Sequence, residues 1–267
     1  MEGIYIKYNV VIANPANNIT IVVLDDIKKE NYFSVSNDIL NKSNLKAEQV
    51  GFVKRPIMDG EARLEMMGGE FCGNALRSFG MIISKNRSIE KGNVKVEISG
   101  SNKALHVEVD NVYKTAKAEI PLPKNVTYVN IDKYINLPLI IFDGIWHVIV
   151  ENMEANKENF LYIKNNIIES YDVEALGVMF LNREKYYITP LVYVRDTDTT
   201  VFESSCGSGT IATAIYLSEL HKKDIFNCRI NQPGGIIESE VYRNNGKITR
   251  LMIGGRVELS EIVEIEV

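Results

Sequence analysis

The chain is poor in several residue types whose presence would point to a function. It has three cysteines in 267 residues. That is too few for a disulfide scaffold, and it fits a reducing, cytoplasmic compartment. Three histidines and no Cys-x-x-Cys pair make a zinc site a poor expectation. Basic residues do not exceed acidic ones: 30 Lys and Arg stand against 35 Asp and Glu, a net charge of −5. No positive field therefore draws the chain to nucleic acid or to an anionic membrane. No apolar run approaches the ~20 residues of a membrane span. The first residues, MEGIYIKYNVVIANPANN, lack a basic segment followed by an apolar core and a small-residue cleavage site, so no secretory signal is expected. Low-complexity linkers are also missing.

The composition that remains, 45% hydrophobic and 24% charged, is that of a globular protein. The length allows one large domain or two of about 130 residues. A repeated context favours two. Cys72 lies in GGEFCGNALRSFGMIIS and Cys206 in ESSCGSGTIATAIYLSEL. Both read acid, one or two residues, Cys, Gly, a small polar residue, then an apolar run. Their separation, 206 − 72 = 134, is half the chain, which suggests a duplication.

Each motif reads as a strand-to-helix junction. EARLEMM and ITPLVYVRDTDTTVFE precede the two motifs as extended stretches. After the first, Ala75, Leu76, Phe79, Ile82 and Ile83 recur at spacings of three and four. After the second, Ile211, Ala212, Ala214, Ile215 and Leu217 leave few polar positions, which predicts a helix buried on every side. VKVEISG, ALHVEV, TAKAEIPLP, LIIFDGIWHVIV, KYYITPLVYV, RINQPGGIIESEVY and VELSEIVEIEV alternate or run β-branched, as strands do. Hairpin turns are expected at Asp110–Asn111 and Asn244–Asn245–Gly246. Further helices are expected within Asn31–Asn41 and Met153–Glu174, with a break between halves near Pro121–Lys124.

A cysteine at a helix N-terminus meets orphan N–H groups and a partial positive charge, which lower a thiol pKa. The glycines of CGN and CGSG let N–H groups approach a carboxylate closely. Two such sites facing across a shared cleft would serve one α-amino acid. One thiolate takes the α-proton from one face while the opposite thiol delivers a proton to the other. Such a pair titrates as a coupled system, and the carbanion leans on helix N-termini. The plain alternative for a lone cysteine is a small buried hydrophobe. Cys228, in FNCRINQP, is assigned to it. A Cys72–Cys206 disulfide switch is a weaker alternative.

The pair CGNA at 72–75 and CGSGT at 206–210 resembles the diaminopimelate-epimerase-fold family of cofactor-independent amino-acid racemases and epimerases, over the whole chain. The resemblance implies an α/β (α+β) fold of two pseudo-symmetric lobes. Each lobe would be a curved, mostly antiparallel sheet wrapped around a central helix. The N-terminal lobe would span 1–122 with a returning strand at about 258–267, and the C-terminal lobe 123–257. It implies catalytic Cys72 and Cys206, no metal or other cofactor, a small amino-acid substrate, and a homodimer. Substrate contacts would fall on Asn18, Gly73 and Asn74, and on Gly207, Ser208, Gly209 and Thr210.

Departures from the diaminopimelate epimerases are informative. NPANNIT keeps only Asn18 of a HGLGNDF-like start. Arg63 stands where they carry an asparagine nine residues before the first Cys. YVRDTDTTVFESSC has no Glu-Arg-Gly, for which Asp196 or Asp198 would substitute. IWHV keeps only His147 of Asn-Pro-His. The lost groups clamp a second amino-acid head, and a clamp left unpaired would reject substrates sharply, so the substrate is expected to lack one. EQVGF, GGEFCGNA, ALGVMFL, FESSCGSGT and QPGG resemble the branch containing histidine racemases, which in staphylococci feeds opine-type metallophore synthesis. That branch implies that Glu48 places or binds the imidazole or tunes a thiol, and that His147 borders Cys206 or the substrate. The alternatives are a surface helix carboxylate before a strand for Glu48 and a packed, hydrogen-bonded strand histidine for His147. Asn18 would otherwise be a turn residue. Glu70 and Glu203 read as helix N-terminal charges. The competing functions are a diaminopimelate epimerase with an altered clamp, another amino-acid racemase, a non-catalytic amino-acid binder, and a thiol redox protein.

Overall fold

The structure, a computed structural model, describes residues 6–42, 45–132 and 134–267. The first half of the chain runs β1 (Lys7–Asn14), β2 (Thr20–Val23), α1 (Tyr32–Lys42), β3 (Gln49–Lys54), β4 (Arg63–Met66), α2 (Gly73–Asn86), β5 (Lys91–Ile98), β6 (Leu105–Asp110) and β7 (Thr115–Ile120). The second half runs β8 (Asn125–Ile131), β9 (Tyr134–Ile141), β10 (Trp146–Glu151), α3 (Lys157–Ser170), β11 (Ala175–Asn182), β12 (Tyr187–Val194), β13 (Thr199–Phe202), α4 (Gly207–His221), β14 (Ile225–Gln232), β15 (Gly235–Asn244) and β16 (Lys247–Arg256). Two short strands, β17 (Glu258–Leu259) and β18 (Val263–Glu266), close the chain. Two compact units emerge: residues up to Glu119 with Gly254–Val267, and Ile120–Ile253. The divisions fall a few residues before those expected at 122/123 and 257/258.

The two units repeat one order of strand pairing. In the first, β1 and β2 pair antiparallel, β2 and β3 parallel, β3 and β4 antiparallel, β4 and β5 parallel, and β5–β6–β7 form a meander. In the second, β9 and β10 pair antiparallel, β10 and β11 parallel, β11 and β12 antiparallel, β12 and β14 parallel, and β14 and β15 antiparallel. Parallel neighbours need a crossover, and a helix supplies each one: α1 and α2 in the first unit, α3 and α4 in the second. The second unit adds β13 as a hairpin partner of β12. The tail returns to the first unit, where β17 and β18 pair with β1.

The core of the first unit wraps α2. Ala75, Leu76, Phe79, Met81 and Ile82 pack against Leu64, Val94, Val96, Leu105 and Val107. Burying each large apolar side chain is worth roughly 1.5–3 kcal/mol. A second layer sets α1, through Tyr32, Val35 and Ile39, against Ile21, Val50 and Phe52. In the second unit α3 does the same with Phe160, Ile163 and Ile167. α4 is buried on every side, from Gly207 to Ser218 with few exceptions, as its missing polar stripe predicts. The helix expected within 153–174 forms as α3, which starts where Asn156 caps it by accepting from Asn159 N–H at 2.9 Å and stops where Tyr171 turns extended. Asn245 and Gly246, both at positive φ, make the tight β15–β16 turn.

Candidate active site

Cys72 is the N-cap of α2, and its sulfur accepts a hydrogen bond from Ala75 N–H at 3.4 Å. The segment leading to it is held by Ser99, whose hydroxyl donates to Glu70 O at 2.9 Å and accepts from Met66 N–H at 2.9 Å. Gly100, at φ +71°, lies so close to Phe71 that a Cβ there would overlap its backbone nitrogen. Cys72 keeps some exposed surface, yet the atoms packed around its sulfur push the thiol up to about 11. The N–H groups of Ala75 and Asn74 and the Gln49 amide pull it down by less, and the Glu70 carboxylate adds to the rise. The lowering expected from the helix N-terminus is therefore reversed. Loss of solvation disfavours the thiolate more than the helix end favours it.

A polar chain surrounds this thiol. Asn18, nearly buried, donates from Nδ2 to Glu48 Oε2 at 2.5 Å. Its Oδ1 accepts from Gln49 Nε2 at 2.8 Å and from Asn74 Nδ2 at 3.1 Å. Gln49 also donates to Thr20 Oγ1 at 2.8 Å. Asn74 accepts from Arg77 Nε at 3.1 Å, and Arg77, with no exposed surface, reaches Arg256 O from Nη1 at 3.2 Å. Asn18, Glu48, Gly73 and Asn74 are thus brought together beside Cys72. Glu48 is exposed but lies on no helix. It sits just before β3 with its N–H on Ile19 O. Arg63 is committed elsewhere, to Glu65 at 3.0 Å and to the buried Glu97 at 3.4 Å.

Cys206 repeats the arrangement at α4. Its sulfur accepts from Gly209 N–H at 3.3 Å and lies 3.6 Å from Ser208 Oγ. Its backbone is pinned on both sides. Cys206 N–H donates to Gln232 Oε1 at 2.7 Å, while Cys206 O accepts from the Thr210 hydroxyl at 2.6 Å. Gln232 closes the loop by donating to Thr210 Oγ1 at 2.8 Å. Burial pushes the Cys206 thiol well above its ordinary value. The Glu203 carboxylate, hydrogen-bonded to it, raises it further, against Ser208 and Gly209 N–H. His147, with no exposed surface, places Nε2 2.9 Å from Ser208 Oγ. Burial lowers it to about 3, so it is neutral at any physiological pH.

Several expectations need correction. Thr210 has no exposed surface, and its hydroxyl is committed to Cys206 O and to the Gln232 amide. Glu70 and Glu203 precede the N-caps, and neither helix has an acid in its first turn. Both act on the neighbouring sulfur instead. Asp196 and Asp198 lie on the exposed Arg195–Asp198 turn between β12 and β13, a full strand before Glu203 in the chain. Cys228 contacts Ser239 at 3.1 Å, away from either motif. Gln49, Arg77 and Gln232 join the site without being expected there from the sequence. Their signal is a long polar side chain opening or ending an apolar strand, or interrupting an apolar helix face. Among the described residues no group of three His, Cys, Asp or Glu is placed to hold a metal ion. No helix there is long and apolar enough to cross a membrane.

Two units of matching topology, each starting a central buried helix from a cysteine, have the fold of the racemase and epimerase class. A hydroxyproline epimerase structure from Agrobacterium vitis matches at a TM-score of 0.64, 10% identity, covering 98% of this chain and 93% of that one. A PhzF-family phenazine biosynthesis protein from Bacillus anthracis matches at 0.69 and 15% identity, covering 98% and 99%. The chain belongs to the family described as histidine racemase CntK N-terminal domain, whose model matches residues 6–262. Two histidine racemases from strains of Fusobacterium nucleatum subsp. nucleatum are 36% and 38% identical over 257 residues, 92% of this chain and 92% and 91% of theirs. A histidine racemase from Staphylococcus aureus is 25% identical over 232 residues, 84% of this chain and 85% of that protein.

Proposed function

We propose that this chain interconverts L- and D-histidine by proton transfer at the α-carbon, with Cys72 and Cys206 as the acid–base pair. The observation that carries the reading is the matched placement of the two sulfurs. Each caps a buried helix and accepts one of its first-turn N–H groups, from Ala75 and from Gly209. One sulfur, as thiolate, removes the α-proton, and the C–H electron pair stays on the α-carbon. The other sulfur, as thiol, delivers its proton to the opposite face, so the two exchange protonation states at each turnover. The first-turn N–H groups beside Gly73 and Gly207–Gly209 bind the substrate carboxylate and spread the carbanion charge. Glu48, exposed and anchored by Asn18, supplies a carboxylate suited to a protonated imidazole. The functional unit is proposed to be a homodimer in the cytoplasm.

The test is incubation of the purified protein with L-histidine in D₂O. Loss of circular dichroism with α-deuterium incorporation is expected. A constant signal without exchange sinks the substrate assignment, and a panel of amino acids in the same assay separates other racemases. Cys72→Ala and Cys206→Ala should each abolish racemisation. Single Cys→Ser variants should keep at most slow, one-sided exchange. Stoichiometric binding with no exchange would instead mark an amino-acid binder.

A further inference from the structure

His147 is buried without exposed surface, and its Nδ1 has no hydrogen-bond partner among the described residues. Its other nitrogen meets Ser208 Oγ at 2.9 Å, and that oxygen lies 3.6 Å from Cys206 Sγ. These three groups form a line from an enclosed imidazole to the sulfur. Gly177, paired with His147 across β10 and β11, is what makes room for the ring. A Cβ there would run into His147 Nδ1.

The unpartnered nitrogen decides the direction of the line. A buried N–H without an acceptor costs more than a bare acceptor nitrogen. The proton therefore sits on Nε2, and Nε2–H donates to Ser208 Oγ. The serine hydroxyl, with its acceptor side taken, is left to donate its own proton. We propose that Ser208, aligned by His147, donates a hydrogen bond to the Cys206 sulfur and is the side chain that, beside the Gly209 N–H, selectively stabilises that sulfur as a thiolate. His147 is then a positioning residue and not a base. No proton leaves the imidazole. When the sulfur takes the α-proton and becomes a thiol, the bond from Ser208 weakens, so its effect is confined to the charged state. This rests on the reading of Cys206 as an acid–base group.

The experiment measures iodoacetamide alkylation of each cysteine by peptide mass spectrometry, at a fixed pH below the titration of either thiol. In Ser208→Ala the rate at Cys206 should fall about tenfold, the scale of a lost hydrogen bond to a charged group, while Cys72 is unchanged. In the histidine exchange assay kcat should fall similarly with KM within about twofold, and Ser208→Thr should restore both. Alanine suits the first turn of a helix. Should that variant still fail to fold, Gly177→Ala must lower the Cys206 rate by displacing the imidazole. An unchanged Cys206 rate in the folded variant overturns the proposal, as does an equal fall at Cys72, or a KM rise with kcat intact. The alkylation readout needs no turnover, so failure of the histidine assignment would be seen separately.

Discussion

The side-chain oxygen of Asn18 accepts a hydrogen bond from Asn74 Nδ2 at 3.1 Å, so the second residue of α2 is fastened to the turn between β1 and β2. The same oxygen holds Gln49, and the amide nitrogen holds Glu48. One side chain thus sets three others around Cys72. Asn18→Ala should cost about 1–3 kcal/mol of stability by leaving buried amides unpaired, and should lower kcat/KM at least tenfold. Asn18→Asp keeps the acceptor but opposes Glu48 with a like charge. It should retain more of the fold and raise KM. Urea melts with steady-state kinetics on both variants check the pair.

Burial holds both thiols above their ordinary range, Cys72 at about 11 and Cys206 well above its usual value. The free protein at neutral pH therefore holds thiols, and a working pair needs one thiolate. Below a thiol pKa the thiolate fraction rises tenfold per pH unit. The exchange rate under single-turnover conditions should climb with a slope near one between about pH 7.5 and 9, with no plateau until higher pH. A rate already flat at pH 7.5 would mean that a sulfur ionises much lower than its surroundings dictate.

His147 makes folding sensitive to acid. Its ordinary value of 6.5 falls to about 3 in the folded chain, so the unfolded chain binds one more proton between those values. The stability this neutral ring contributes is present above pH 6.5 and is lost as pH falls through 3. The loss is at most about 1.4 kcal/mol per unit of pH, and in total a few kcal/mol. Chemical denaturation from pH 7 to pH 4 should show a shallower decline in His147→Gln than in the native chain.

Gly209 lets α4 lie against β11. A Cβ at this position would overlap Met179 Sδ and stand 3.2 Å from Cys206 Sγ. Gly209→Ala gains helix propensity of about 1 kcal/mol, but the overlap opposes it by about 1–3 kcal/mol. The expected result is a net loss of stability with activity falling further than stability, because the sulfur itself is displaced. A thermal melt beside the isotope-exchange assay tests this. A stabilised, active variant would contradict the close packing.

Much of the site's framework is legible in the amino-acid sequence. The chemistry of α2 and α4 is local: a cysteine, a glycine and an apolar run specify an N-cap and a buried helix, whatever lies around them. The apolar completeness of Ile211–Leu217 announces its burial. The strands β1–β3 and the parallel pairings cannot be read in the same way. They depend on which strand the crossover helix returns beside, and that is set by packing far along the chain. Arg77 shows the limit at one residue. In sequence it is a charge interrupting an apolar face. In the fold it is wholly buried and hydrogen-bonded to Asn74 and to Arg256 O, 179 positions away.

Local sequence is enough to place two cysteines at the heads of two helices, in two halves of similar plan, because capping, glycine freedom and apolar periodicity act over a few residues. How those cysteines ionise, and which groups attend them, follows from the folded arrangement. There Glu203 is a neighbour of sulfur, Thr210 a structural anchor, and His147 a buried partner of Ser208. The physical reason is that solvation and hydrogen bonding are properties of a surrounding volume. Only the folded chain fills the volume around Cys72 and Cys206.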